Sequence, residues 1–375
     1  MNYQFREKQF GPKFRAEDVA KIKDLIDHSI TFSFAAMPGL GVTIFMRYLA
    51  CQDFAQFIYV DTYALTNLSK YEFYKLLYHE LGGIKSVKTE QQAIEQCKVK
   101  LGELVKKDKK VVIIFNRFDQ LKKLFSNQYF AELISLRNVK PEKIVLIFTA
   151  TKPYIEILPD DISGDRVNLF SKTFYLKPYS LVDLKKLLLI SAQTSVHTPS
   201  FIKKAIQLCG GHFQLLQLFL KSERLDPPFI DRYVRFQLKE LYEYLNYHQR
   251  KQIEQIALGK VVTHIDPYLF EVGMVKKTGE TDQLFTPLFT DYVKANLPVK
   301  LPIKEKALFN LLKKKINLVV TKDEIFEHIW QGNPDSASDW ALNALIYRLK
   351  KNPGFISSGF IIENHKKLGY SMIKS

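Results

Sequence analysis

Residues 36–43 read Ala-Met-Pro-Gly-Leu-Gly-Val-Thr, close to the spacing of a loop that wraps a phosphate. In the full pattern a Gly, four residues, a second Gly, a Lys and a Ser or Thr lie between a strand and a helix. Backbone N–H groups then cradle the α- and β-phosphates, the Lys reaches the β- and γ-phosphates, and the hydroxyl meets Mg²⁺. Here Ala36 stands at the first Gly and Val42 at the Lys, while Gly39, Gly41 and Thr43 remain. The backbone cradle can survive these changes, but the side-chain charge is gone. A second constellation follows at 111–119, Val-Val-Ile-Ile-Phe-Asn-Arg-Phe-Asp. An apolar strand ending in Asp, then Glu, would hold the metal and polarise the attacking water. Asn116 and Arg117 occupy those two places. Asn can bond a metal-bound water without supplying charge, and Arg accepts no proton at physiological pH. Two separated parts of one mechanism fail together, so the expectation is a site that has abandoned hydrolysis and a chain that is not a working ATPase. Asp119 could serve as a substitute acid, but is expected to be solvated or to cap a helix over 119–125. Thr149-Ala150-Thr151 ends a strand where a polar sensor would face a γ-phosphate.

Such a loop needs a strand before it and a helix after it. The apolar, β-branched and aromatic runs at 31–35, 57–60, 111–115, 144–149 and 173–176 predict strands buried on both faces. Helical spacing fills the intervals at 17–28, 43–50, 70–81, 89–107 and 127–137. This alternation predicts a parallel three-layer α/β domain with right-handed crossovers. After about residue 178 the strands stop, and helices are expected at 180–194, 199–208, 211–221 and 228–245, punctuated by Thr198-Pro199, Gly210-Gly211 and Pro227-Pro228. Residues 246–297 read as short helices followed by a hairpin around Gly279, and 297–302 as a linker.

The 375 residues carry 55 Lys and Arg against 39 Asp and Glu, a net charge of +16 that favours nucleic acid or an anionic surface as partner. Three well-separated cysteines, with no paired spacing, argue against a zinc site or a disulfide framework and fit a reducing compartment. The first fourteen residues mix charges with aromatics and do not read as a signal peptide. No apolar run approaches the ~18 residues of a membrane span. A cytoplasmic, nucleoid-associated protein is expected.

The last seventy-odd residues are the most explicit. Residues 307–312 give a first helix, and Thr321 with Glu324 three residues on forms a capping box for a second. A third, over 337–351, carries a Leu342, Leu345, Ile346, Leu349 stripe, with Asn343, Tyr347, Arg348, Lys350 and Lys351 on its other face and flanks. A terminal hairpin follows, with His365, Lys366 and Lys367 at its turn. Residues 299–375 hold thirteen Lys and Arg against seven Asp and Glu, a surplus of six. A helix with bases on its outer face can enter the major groove of duplex DNA. Arg348 could reach guanine or phosphate, and Lys350, Lys351, Lys366 and Lys367 would contact phosphates and set register. Trp330 and Tyr370 are expected in the core. Trp340 lies off the Leu stripe, free to pack on a neighbouring unit or to reach DNA.

Residues 10–235 resemble the AAA+/STAND class of P-loop ATPases, particularly its archaeal-ATPase and origin-initiator branches. The resemblance rests on the loop at 36–43, the strand 111–115 with its Phe118-Asp119-x-Leu121 tail, the strand 144–149, and Leu176-x-Pro178-Tyr179-Ser180 opening a helical lid. It implies a five-stranded sheet, a lid and nucleotide at their junction. The nucleotide site would comprise Ala36, Gly39, Gly41, Val42, Thr43 and Asn116, and could take ATP or ADP without hydrolysis. Gly210-Gly211-His212 resembles the lid helix that often carries a sensor Arg, which is missing here. Residues 240–296 resemble the winged helix that follows such modules, and the last unit resembles the OmpR/PhoB-type winged helix-turn-helix. The expected layout is therefore a degenerate α/β P-loop domain at 1–178, a helical lid at 179–239, and two winged-helix domains at 240–298 and 299–375. The function implied is a regulator that binds double-stranded DNA, with the α/β module sensing a ligand or self-associating. A working initiator- or loader-like ATPase and a protein-interaction scaffold are the alternatives.

Overall fold

The computed structural model describes residues 5–190, 197–221, 231–279, 281–297, 301–330, 338–356, 359–366 and 368–374. The chain divides into two compact units, residues 1–249 with 264–286, and residues 250–263 with 287–375.

The first unit begins α1 (Ala16–Asp27), β1 (Phe32–Ala35), α2 (Val42–Ala50), β2 (Gln56–Asp61), α3 (Lys70–Glu80), α4 (Glu90–Leu104), β3 (Val111–Asn116), α5 (Asn127–Arg137), β4 (Ile144–Ala150), α6 (Asp165–Asn168) and β5 (Thr173–Tyr175). The five strands form one parallel sheet in the order β2-β3-β4-β1-β5. β3 and β4 are buried along their whole length, which is why they read as unbroken apolar runs. Ser69, Thr89 and Ser126 cap α3, α4 and α5, each side chain accepting from the backbone N–H three residues on. On one face of the sheet an aromatic cluster that includes Phe73, Phe115, Phe118, Tyr129 and Phe148 fills the core. Because β1 lies between β4 and β5, the loop that leaves it emerges beside the carboxyl ends of β3 and β4. Open α/β sheets bind ligands outside these strand ends, where the strand order reverses.

Helices then take over: α7 (Leu181–Ile190), α8 (Pro199–Cys209), α9 (Phe213–Lys221) and α10 (Arg232–Glu243), followed by α11 (Tyr247–Ala257), α12 (Pro267–Glu271) and the antiparallel hairpin β6 (Val275–Thr278) with β7 (Thr281–Leu284). The division between the units falls inside α11, and α12 and the hairpin belong to the first unit, so residues 240–298 are shared between the two. Gly210 and Gly211, both at positive φ, turn the chain between α8 and α9. A Cβ on Gly211 would lie 2.6 Å from the Tyr179 carbonyl oxygen, so only glycine permits this approach.

The second unit holds α13 (Pro287–Ala295), α14 (Ile303–Lys314), β8 (Val319–Thr321), α15 (Lys322–Ile329), α16 (Asp339–Lys351), α17 (Pro353–Ile356), β9 (Phe360–His365) and β10 (Gly369–Lys374). Its antiparallel sheet has the order β8-β10-β9. Leu308, Leu312, Ile325, Leu342, Leu345, Leu349 and Met372 form the core, with Trp330 and Tyr370 buried among them. Three helices and a terminal hairpin build this winged helix. Gly369 is required where β10 crosses β8, since a Cβ there would collide with the Val320 carbonyl oxygen. Among the described residues no helix is long and apolar enough to cross a membrane.

Candidate functional site

The loop after β1 opens a cavity of about 490 Å³ against the ends of β3 and β4. Gly39 and Gly41 take positive φ, 74° and 95°, and Gly41 starts α2 without a side-chain cap. The first N–H groups of an uncapped helix have no intrahelical acceptor and attract negative charge. Ala36, Gly39, Gly41, Val42, Thr43 and Asn116 all line this one cavity. Val42 offers it only methyl groups.

Asn116 is fully buried, and its amide is oriented by its neighbours. Its Oδ1 faces the Thr149 hydroxyl at 3.4 Å, while Nδ2 donates to Thr43 Oγ1 at 3.1 Å and to Asp61 Oδ1 at 3.2 Å. The two amide hydrogens thus join a hydroxyl and a carboxylate that would otherwise be free to coordinate a cation. Thr149 also accepts from the Arg117 N–H at 2.7 Å, and the Arg117 guanidinium lies 3.4 Å from Thr43 Oγ1 and over the Tyr63 ring. Arg117 holds a left-handed conformation, φ 59°, which turns its side chain into the cavity it lines.

Asp119 departs from the sequence expectation. A 3₁₀ segment, Phe118–Leu124, stands where an α-helix was expected, and the Asp119 carboxylate does not cap it. Its Oδ2 instead accepts from the backbone N–H of Thr151 at 3.1 Å and its hydroxyl at 3.2 Å, tying the end of β4 to the end of β3. Burial raises its pKa, with the Thr151 hydrogen bonds opposing the rise.

The helical segment clamps the same loop from its carbonyl side. His212 Nε2 donates to the Pro38 carbonyl oxygen at 2.7 Å, the Gln214 N–H to Gly39 at 2.9 Å, and the Tyr179 hydroxyl to Gly41 at 3.1 Å. His212 also caps α9, its Nδ1 accepting from the Leu215 N–H at 3.2 Å, so one nitrogen must donate and the other accept. Full burial pulls its pKa down to about 4, with the Pro38 hydrogen bond opposing, and the ring is neutral at pH 7. No sensor-type arginine is in this position, and the neutral imidazole serves as a structural clasp.

In the second unit, α16 begins at Asp339 because the Ser338 hydroxyl caps it, accepting from the Ala341 N–H at 3.2 Å. Leu342, Leu345, Ile346 and Leu349 are buried, and Trp340, Asn343, Tyr347, Arg348, Lys350 and Lys351 are exposed. Arg348 is not aligned with the others: its Nε donates to Glu305 Oε1 of α14 at 3.1 Å. Lys366 is exposed at the turn between β9 and β10, and Lys367 lies outside the described residues.

Sequence reasoning did not single out Asp61, Tyr63, Glu305 or Gln214, and it noted Tyr179 and His212 as motif residues without the clasp they make. Asp61 left a signal: it is the polar residue that ends an apolar strand at the carboxyl edge of a parallel sheet, paired in register with Asn116. The clasp left none, because its partners stand about 140 and 175 residues away along the chain.

Comparison with known proteins bears on the second unit most directly. Residues 296–372 match the family described as "Transcriptional regulatory protein, C terminal". No curated protein sequence matches the chain. Among solved structures, the chain is similar to a Walker-type ATPase of Pyrococcus abyssi at 14% identity and TM-score 0.49, covering 78% of this chain and 98% of that one. It is similar to the Orc1 protein of Aeropyrum pernix, solved in complex with DNA, at 10% identity and TM-score 0.42, covering 98% and 92%. It is also similar to Cdc6p of Pyrobaculum aerophilum at 12% identity and TM-score 0.39, covering 96% and 92%. The C-terminal segment thus matches the C-terminal domain of transcriptional regulatory proteins, and it follows a unit built on a five-stranded parallel α/β sheet.

Proposed function

We propose that the chain is a transcriptional regulator that binds duplex DNA through residues 299–375, and that its α/β module is a pseudo-ATPase serving as ligand sensor or assembly platform. The observation that carries the reading is the family match over 296–372, which falls on a three-helix winged fold. Its third helix has one buried apolar face and one exposed face bearing Asn343, Tyr347, Lys350 and Lys351. Lys350, Lys351, Lys366 and Lys367 meet phosphates, and the charge surplus of the segment supplies the attraction.

The pseudo-ATPase part rests on Asn116 and Arg117. The uncapped start of α2, with Arg117 beside Thr43, suits a phosphate group. Around it stand Asp61, Asp119 and Glu240, the last two lining the cavity, and no lysine balances them there. The residues present therefore fit ATP or ADP held by backbone N–H groups and Arg117. They do not fit a metal-assisted hydrolysis step, because the Asn116 amide stands between Thr43 and Asp61 and a guanidinium replaces the group that would position water. Bound nucleotide would supply phosphate charge to draw Arg117 and the start of α2 together, and the clasp at Pro38, Gly39 and Gly41 would carry that change to α9 and Tyr179.

Genome-wide mapping of the DNA bound by the protein in its own cells tests the reading. Sites concentrated upstream of genes and sharing a sequence are the expected result. Uniform coverage, or none above background, would remove the regulator.

A further inference from the structure

The exposed face of α16 carries two aromatic side chains and an oriented amide. Trp340, Asn343 and Tyr347 fall at spacings of three and four residues, one above another along a single helix face. Trp340 is 80% exposed and Tyr347 64%, large apolar surfaces on a helix whose other face is fully packed. Between them, Asn343 is held from beneath: the buried Tyr370 hydroxyl of β10 donates to its Oδ1 at 2.7 Å. That bond fixes which way the amide points. Nδ2 is left to face outward as a donor, and Oδ1 keeps a second lone pair for another hydrogen bond. An exposed asparagine would otherwise sample several rotamers, so the tyrosine prepays the ordering that recognition demands.

Donor and acceptor side by side on a major-groove helix match one base edge best, the N7 acceptor and N6 amino donor of adenine. The guanine edge presents two acceptors and calls for a guanidinium or ammonium. The arginine of α16, Arg348, is drawn toward α14 by Glu305, away from this face. The aromatic faces on either side of Asn343 are suited to the C5-methyl groups of thymines. Lys351 lies with its Nζ 5.9 Å from the Tyr347 ring centroid, which places its charge at the C-terminal end of the face.

We infer that Asn343, oriented by Tyr370, reads an adenine at the centre of an A·T-containing half-site, with Trp340 and Tyr347 packing on flanking thymine methyls. This rests on the DNA-binding reading of the second unit and adds the base it prefers and the residues that set the preference. Asn343 is the reading residue; Tyr370 is a positioning residue that acts through it.

The test is selection of bound duplexes from a randomised pool by the full-length protein, repeated with Asn343→Ala, Tyr370→Phe and Trp340→Ala. The wild type is expected to enrich a motif containing A·T pairs. Asn343→Ala should flatten one position of it, with a loss of discrimination on the order of ten- to a hundredfold. Tyr370→Phe should relax that same position without changing the rest, whereas a merely structural loss would weaken all sequences alike. Trp340→Ala should relax a neighbouring thymine position and leave the adenine. Low-salt binding to unselected duplex reports whether each variant is folded. An enriched motif in which Asn343→Ala leaves every position unchanged, or one with guanine at the position it controls, overturns the inference and spares the DNA-binding reading. No recovery of duplex by the wild type at low salt overturns both.

Discussion

Replacing Asn116 by Asp tests what the amide does between Thr43 and Asp61. In the wild type, Nδ2 donates to both at 3.1 and 3.2 Å in a buried setting. Asn116→Asp removes both donors, leaves the Asp61 oxygen facing a second carboxylate, and keeps the shape of the side chain. Each buried acceptor that loses its donor costs ~1–3 kcal/mol, and Thr43 and Asp61 are only half-buried, so the lower part of the summed range applies and the first unit should be destabilised by roughly 2–4 kcal/mol in chelator-treated buffer. At ~2–4 °C per kcal/mol for a unit of this size, its unfolding midpoint should fall by about 4–16 °C. The variant would now present two carboxylates and a hydroxyl to a divalent cation, a set of hard oxygen ligands. A cation at a hundred times its dissociation constant returns about 2.7 kcal/mol, so most of the loss should be recovered on adding Mg²⁺ or Mn²⁺. The assay is thermal unfolding of wild type and variant, each with chelator and with added cation. The wild type should not respond to the cation. A wild type strongly stabilised by Mg²⁺, or a variant as stable as the wild type in chelator, would refute the reasoning.

The clasp gives a pH dependence with a definite sign. His212 has a pKa of about 4 in the folded chain against 6.5 for a free histidine, so between these values only the unfolded chain takes up the proton. Stability from this group is therefore complete above pH 6.5 and lost as pH falls toward 4, by roughly 3 kcal/mol; His212→Gln should remove that part of the acid sensitivity in pH-dependent denaturant unfolding, and an unchanged pH profile would count against it. Gly369→Ala forces a Cβ into the Val320 carbonyl and should unfold the C-terminal sheet and abolish DNA binding while the first unit keeps its unfolding midpoint. Replacing Lys350, Lys351, Lys366 and Lys367 by Ala should weaken binding to all duplexes by a similar factor and flatten its salt dependence, as measured by fluorescence anisotropy; a loss confined to one sequence would contradict their assignment to phosphates.

Much of the architecture was legible for a physical reason. β3 and β4 are buried on both faces, so their sequences are unbroken apolar runs that few other structures tolerate. The capping box at Thr321 is a local interaction, and the Thr321 hydroxyl accepts from the Glu324 N–H as its spacing predicts. The apolar stripe of α16 likewise contained its own period. What escaped depends on tertiary register. Asp61 acquires meaning only when β2 pairs with β3, and Asp119 only when Thr151 at the end of β4 arrives beside it. Arg348 reads as a free cation until α14 brings Glu305 within 3.1 Å. His212 was noticed for the arginine it lacks, while its actual bonds, to Pro38 and to its own helix, combine a distant contact with an unusual cap. The missing Lys at Val42 is a fact about one position. The amide of Asn116 adds a fact about three positions, since it ties the Thr43 hydroxyl to the Asp61 carboxylate.

Binding of the full-length protein to duplex DNA as a function of salt decides whether residues 299–375 dock on a phosphate backbone. Four phosphate contacts from Lys350, Lys351, Lys366 and Lys367 give a slope of about −3.6 in log K against log salt concentration. Binding is expected at 50 mM salt and should weaken on the order of a hundredfold by 200 mM. Absence of binding at 50 mM, or an affinity indifferent to salt, would contradict it.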